Sequence, residues 1–435
     1  NVTLSSGNIC IYIAIDYNIN LELLNTFINE NKRKLILCLS DIHLGIDDSY
    51  GQFKSNRRYL HNFLSKLRFS PNLKELVFNG DLFDQWFIPG DIDTLCGKSS
   101  LNFLERIVEN NREIINDIRN IIADKEIKVT YIPGNHDMLF TSAEINSIFP
   151  GINQARDSYG LGSYTPEDLP NSIIEHGHRY DFFCAPNHIS TTEDNCDFLL
   201  PPGYFYARIS ATSFIENLRY YDDFVTDFTL ISNTYSNKNY LEYLYKSICT
   251  FSLRKCPVME SNDEKFIYTL INGYKENYCI NDLLLDLLNE DKKDSNKLFK
   301  DITLTWNKRQ IYNKVPVSIS TEAAIKYSIF HSYFDNMAQI QYFKNPQSKK
   351  RIVIFGHTHC ACMIISNNSL DQKTIYANCG SWLDKSSYPP SMTFTLLIPP
   401  KDKTSPNTFI HLYRYKGDNS IEKLQSQAVT EFSSV

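Results

Sequence analysis

Leu76-Val77-Phe78-Asn79-Gly80-Asp81-Leu82-Phe83-Asp84 is an apolar run of strand type that ends abruptly in glycine and a carboxylate. Its length and composition predict a buried strand that releases Asp81 at its C-terminal tip. In an open α/β sheet that rim is where ligands and catalytic groups collect. Four other apolar runs end in the same style. Lys34 to Leu39 empties into Ser40-Asp41-Ile42-His43, and Ile127 to Ile132 into Pro133-Gly134-Asn135-His136-Asp137. Ile173 and Ile174 lead into Glu175-His176-Gly177-His178, and Arg351 to Phe355 into Gly356-His357-Thr358-His359. The chain holds 10 histidines, and six of them lie in these endings. Carboxylate oxygen, amide oxygen and imidazole nitrogen suit hard and borderline divalent ions, so the pattern predicts a metal site at the C-terminal edge of a sheet.

The spacing within each ending refines that expectation. Two ions about 3.5–4 Å apart need a bridging carboxylate and ligands from several loops. Asp81 is central among the clusters and is the candidate bridge. Asp41 and His43, two apart on an extended tip, can reach one ion together, whereas His357 and His359 can divide between two. Asn135 offers a neutral oxygen where another carboxylate would overload the site with negative charge. A metal-bridging water is acidified to hydroxide near neutral pH, and its in-line attack on phosphorus is the reaction such a centre suits. His136 is then placed to protonate the departing alkoxide, with Asp84 holding the imidazole in position.

Bulk composition narrows the classes. At 435 residues and 42% hydrophobic content, the chain can bury a sizeable core in one large domain or two. A net charge of −6 argues against a dedicated nucleic-acid binder, which usually carries a basic face. The 11 cysteines have no tight repeating spacing, and Cys38, Cys184 and Cys379 sit in apolar contexts that suit reduced, buried thiols. Cys360 and Cys362 are expected in core packing rather than as ligands. No stretch approaches the roughly 18 apolar residues of a membrane span. The expected compartment is the cytoplasm; the chain begins without Met, which leaves secretion open.

As an ordered set, Asp41-Ile-His43, Gly80-Asp81-Leu-Phe-Asp84, Gly134-Asn-His-Asp137, His176-Gly-His178 and Gly356-His-Thr-His359 resembles the motifs of the calcineurin-like metallophosphoesterases. The resemblance covers roughly residues 33–182 and 346–398. It implies a four-layer αββα sandwich with a dinuclear site of manganese, iron or zinc, manganese first. By motif position, it implies that Asp41, His43 and His359 hold one ion, Asp81 bridges, and Asn135, His176 and His357 hold the other. His136 and Asp84 become the proton-donating dyad, and His178 faces the substrate. Gln85-Trp86 stands where the Ser/Thr protein phosphatases of this superfamily carry Arg-Gly, so their phosphate-clamping arginine is missing at that position. The second motif looks closer to the bacterial branch that includes UDP-diacylglucosamine pyrophosphohydrolases. Those tend to have arginine where His136 stands and Asp where His178 stands.

The expected organisation is an α/β core in two parts, 1–181 and 346–417, around a mostly helical insertion at 182–345, with a loosely held polar tail at 418–435. A first strand is expected over Ile9 to Ile15, a short helix over Leu21 to Asn31, and helices over Arg57 to Leu67 and Leu101 to Ile122, the latter capped by Ser99 or Ser100. Helical runs are expected over Tyr240 to Cys249 and Ile280 to Leu288 within the insertion. Strands over Arg351 to Phe355, Lys373 to Asn378, Met392 to Ile398 and Thr408 to Tyr415 are expected to form a second sheet. The expected activity is metal-dependent hydrolysis of a phosphate ester on a small molecule, nucleotide or phosphoprotein. Two other readings stay open: a phosphoprotein phosphatase docking its substrate on the insertion, and a catalytically inactive metal-binding scaffold. Intact His136 and Asp84 argue against the scaffold. Arg156, Arg179 and Arg208 are candidate phosphate contacts, each more readily structural.

Overall fold

Period-two alternation in the strands builds two stacked sheets, and the computed structural model describes residues 18–20, 34–92, 100–157, 160–189, 200–215, 267–269, 277–283, 298–299, 302–329, 334–400 and 406–430. In chain order the first strands are β1 (Asn18–Asn20), β2 (Leu35–Leu39), β3 (Leu73–Asn79), β4 (Lys128–Ile132), β5 (Asn153–Gln154), β6 (Ser163–Tyr164) and β7 (Ser172–Glu175). They are followed by β8 (Ile267–Tyr268), β9 (Asn277–Tyr278), β10 (Ile352–Phe355), β11 (Cys362–Asn367) and β12 (Lys373–Asn378). The last three are β13 (Thr393–Ile398), β14 (Asn407–Tyr415) and β15 (Ser420–Thr430). Eight strands form one sheet in the order β1-β15-β14-β13-β2-β3-β4-β5, and five form another, β11-β12-β10-β7-β6. The centre of each is parallel: β2, β3 and β4 in the first, β7, β10 and β12 in the second.

The layers can be read off side-chain parity. In β2, Leu35, Leu37 and Leu39 pack on one side with the helices α1 (Arg57–Leu67), α2 (Ser100–Asn110) and α3 (Arg112–Asp124). Ile36 and Cys38 point the other way, to meet Ile174, Ile352, Ile354 and Ile375 of the second sheet. On β10, Ile352 and Ile354 face that inter-sheet core, while Val353 and Phe355 pack against Tyr342 and Phe343 of a π-helical turn, Gln339–Phe343. Helix, sheet, sheet, helix is therefore the order of layers, because strands buried on both faces need a cover on each. No helix among the described residues is long and apolar enough to cross a membrane.

Several expectations are corrected. The helix expected over Leu101 to Ile122 breaks at Asn111, whose buried side chain donates to Gly45 O and Ile107 O instead of facing solvent. The strands β13 and β14 do not join the second sheet; β13 pairs antiparallel with β2 and extends the first. The expected loose tail contains β15, paired along its length with β14. Cys360 and Cys362 are half-buried, with Cys362 packed against the core around Phe355 and Tyr376, while Cys38 and Cys379 are buried free thiols as expected. Ile9 to Ile15, Leu21 to Asn31, Ser99 and Tyr240 to Cys249 lie outside the described residues. Within 182–345 the described elements are α4's successors in the chain: after α4 (Ser142–Ile148) come α5 (Pro202–Ile215), α6 (Ile280–Leu283), α7 (Trp306–Tyr312), α8 (Thr321–Ile329) and α9 (Phe334–Ala338), with β8 and β9 as a small ladder. Leu200, Tyr204, Phe205, Phe299 and Trp306 from this stretch bury themselves against Trp86, Met138 and Leu139 beside the strand tips.

Candidate metal centre

Five loops converge, each leaving the C-terminal end of a parallel strand: β2 delivers Asp41 and His43, β3 delivers Asp81 and Asp84, and β4 delivers Asn135 and His136. From the second sheet, β7 delivers His176 and His178, and β10 delivers His357 and His359. The turns that aim these groups are tight. Asp41, His43, Asp81, His357 and His359 all adopt positive φ, between 52° and 68°. They are five of the ten non-glycine residues in that region among those described. Left-handed backbone at a residue with a Cβ costs energy, so its concentration here marks a site whose geometry the surrounding fold enforces. Two loops also touch so closely that a side chain cannot fit. A Cβ on Gly134 would lie 2.1 Å from Asp81 Oδ1, and one on Gly356 would lie 1.9 Å from Ser40 Oγ.

Of the four groups of side chains close enough to share an ion among the described residues, two together take in most of the strand-tip residues. Asp41, His43 and His359 form the first, with His359 Nε2 3.1 Å from Asp41 Oδ1 and 3.3 Å from His43 Nε2. Asp81, His176 and His357 form the second, with Asn135 Oδ1 3.2 Å from His176 Nε2. Asp81 Oδ2 joins them: it is 3.1 Å from His176 Nε2 and 3.7 Å from His43 Nε2. Its other oxygen accepts the backbone N–H of His136 at 2.8 Å. His176 is oriented by an Nδ1–H donated to Asn79 O at 2.8 Å, which leaves Nε2 pointing at the carboxylates.

The electrostatics suit cations. Burial works against charge on Asp41 and Asp81, yet the imidazole of His176 and its neighbours outweigh it and hold both carboxyls below their usual range. Burial likewise disfavours charge on His176, but Asp81 and Asp41 push its pKa up to about 9. Asp41 Oδ1 is buried and accepts no hydrogen bond. Buried carboxylate and imidazole lone pairs aimed at common points, with protons as their counter-charge, are the donor set that divalent ions replace. The residues present fit such ions.

Beside the groups stands a polar pair. His136 Nδ1 lies 2.7 Å from Asp84 Oδ1, and its ring stacks on Trp86 at 5.0 Å between centroids. Asp84 also accepts the N–H groups of Trp86 and Phe87. Burial opposes its charge, but His136 keeps the carboxyl well below its usual range. The His43 and His176 side chains are 0% exposed, whereas those of His136 and His359 are 14% and 27% exposed, so the centre opens to solvent on their side.

The family model of the calcineurin-like phosphoesterases matches residues 34–227, a span containing four of the five strand-tip motifs. Over those residues the chain is similar to that superfamily. The fifth motif, Gly356 to His359, lies beyond the match and joins the other four through the pairing of β10 with β7. No curated protein matches the chain. Among solved structures it is similar to a Staphylococcus aureus protein described as "Putative 5'-Nucleotidase", crystallised with alpha-ketoglutarate. The identity is 10% and the TM-score 0.28, with 92% of this chain and 55% of that one covered. The chain thus spans about half the length of that protein, and a likeness so distant carries no argument.

The structure brings together Asp41, His43, Asp81, Asn135, His176, His357 and His359, with Asp84 and His136 alongside. His178 is placed differently from the expectation that it faces substrate. It sits buried in the short 3-10 turn His178–Tyr180, behind His176, with Nε2–H donated to Gly160 O at 2.9 Å. Burial, followed by the neighbouring His176 and His357 charges, holds its pKa well below the usual value. The three arginines are engaged elsewhere. Arg208 is buried and donates to the carbonyls of Ile88, Pro89 and Tyr268; Arg179 pairs with Asp157; Arg156 donates to Gln154. Two carboxylates at the site escaped the sequence reading. Asp137 accepts backbone N–H groups from Gly134, Leu82 and Phe83, stitching two site loops together, and burial pushes its pKa up to about 6. Asp181 accepts from His357 Nε2 at 2.9 Å. Both follow a motif histidine by one to three residues, which is the only signal the sequence offers for them.

Proposed function

We propose that the chain is a metal-dependent phosphoesterase with a dinuclear centre, in which Asp41, His43 and His359 would hold one ion, Asn135, His176 and His357 would hold the other, and Asp81 would be shared between them. The observation that carries this reading is the position of Asp81 Oδ2, within 3.7 Å of His43 Nε2 and 3.1 Å of His176 Nε2, one from each ligand group. Divalent ions bound there, manganese in the first instance, supply Lewis-acid polarisation of a phosphate oxygen and acidify water.

The chain's own groups supply the rest. His136 donates a proton to the leaving oxygen through Nε2, the nitrogen that its contact with Asp84 leaves over. Asp84, pinned by two backbone N–H groups, fixes the direction of the imidazole. Trp86 restrains the ring from the side and excludes water from that face. Substrate enters on the exposed side of His136 and His359, and the stretch 182–345, whose aromatic residues pack beside Trp86, Met138 and Leu139, is the candidate determinant of specificity. An activity panel with manganese tests the reading, comparing an aryl monoester, an aryl diester, a nucleotide and a phosphopeptide. Turnover of at least one, abolished by chelation and restored by manganese, is the expected result; no turnover of any sinks it.

A further inference from the structure

Asp181 is a buried carboxylate that the proposed chemistry leaves unused. It follows the 3-10 turn of His178–Tyr180, and its Oδ2 accepts Nε2–H of His357 at 2.9 Å. Its Oδ1 accepts Ser328 Oγ–H at 2.7 Å and the backbone N–H of Phe183 at 2.9 Å. With both oxygens taken, Asp181 is fixed as an acceptor. This speaks against its ligating an ion itself, although Asp181, Cys184 and His357 bring ligand atoms within 4.8 Å of one another.

A histidine that gives Nε2–H to a carboxylate carries its lone pair on Nδ1. That contact therefore decides both the tautomer and the rotation of the ring, and such outer partners typically contribute about 10–100-fold to metal affinity. Ser328 belongs to α8, in a part of the chain that supplies no candidate ligand. The loop carrying Asp181 is gripped from the same region. Arg309 of α7, fully buried, donates to Phe182 O at 3.0 Å and Ala185 O at 2.5 Å, and Asn313 donates to Pro186 O at 2.9 Å.

We propose that Asp181 is the positioning residue of His357 and that, through Ser328, the segment 302–329 sets how firmly the second ion is held. The inference rests on the dinuclear reading. The segment that would shape substrate specificity is thereby wired to the ion its substrate would meet, by two hydrogen bonds in series.

Metal content separates the possibilities. The full chain and the variants Asp181→Ala, Asp181→Asn and Ser328→Ala are dialysed against graded manganese and analysed for bound ions. The unaltered chain is expected to take two. Asp181→Ala should weaken the second ion about 10–100-fold and leave the first unchanged. Asp181→Asn keeps an oxygen that accepts Nε2–H and should recover part of the loss, and Ser328→Ala should shift the second ion in the same direction by less. Two ions at unaltered affinity in Asp181→Ala would overturn the proposal and leave the dinuclear centre standing. Equal weakening of both ions, with no recovery in Asp181→Asn, reduces Asp181 to a structural role and overturns it too. Should Asp181→Ala fail to fold, unchanged second-ion affinity in both remaining variants overturns it. An unaltered chain that binds fewer than two ions defeats the dinuclear reading itself.

Discussion

His136 and Asp81 divide the chemistry at the scale of single residues. His136 pairs its ring with Asp84 and gives its backbone N–H to Asp81; its ring also comes within 4.8 Å of His43 and Asp81, but neither proposed ligand group needs it. Asp81 stands between the two ligand groups, and removing it separates them. His136→Ala is expected to keep two ions and lose about 10²–10⁴-fold in turnover, the usual worth of general acid assistance. Asp81→Ala should lose metal as well as activity. Paired turnover and metal analysis checks both; full turnover in the first, or two retained ions in the second, removes the corresponding role. The convergence of Asp41, His43, Asn135, His176, His357 and His359 was legible because their residue types recur at five strand ends. The burial of His178 was not legible, because two histidines flanking one glycine look alike until the turn at Gly177 points them apart (φ 106°).

At the level of elements, the least readable feature was the last hairpin. In β15, Ile421 packs with the helix-side core and Val429 with the inter-sheet core, although both are odd-numbered. A register shift between Leu412 and Tyr413 of the partner strand inserts one extra residue in β15 and turns its faces over. Simple alternation fails across such a bulge, so the segment looks like a polar tail. In β14, His411 is buried between Phe409 and Tyr413, and burial, followed by the charge of Lys423, lowers its pKa to about 4. An unfolded histidine titrates near 6.5, so between about pH 6.5 and 4 the unfolded chain binds the extra proton. His411 therefore stabilises the fold above that window and loses the contribution, at most about 3 kcal/mol, as pH falls through it. Urea midpoints at pH 7.5 and 5 should fall further for the unaltered chain than for His411→Phe. Equal losses would show that His411 is not buried in its neutral form.

For the whole molecule, the site is a seam between two sheets. The loops after β2, β3 and β4 supply Asp41 to His136, while those after β7 and β10 supply the remaining imidazoles. Divalent ions held as proposed would span the inter-sheet core and should stabilise the native state, by about 2.7 kcal/mol at a hundredfold excess over the dissociation constant. Manganese is expected to raise the thermal midpoint and a chelator to lower it; a midpoint indifferent to both would mean that no ion spans the seam. The sequence by itself determined the core strands and which side chains gather at their tips, since apolar runs that end in Asp, Asn or His carry both signals in adjacent residues. Only the tertiary structure decided where β13, β14 and β15 belong, which face His178 takes and that Asp181 reaches His357. Those outcomes depend on register, on one bulge and on contacts between residues more than a hundred positions apart, none of which local pattern encodes.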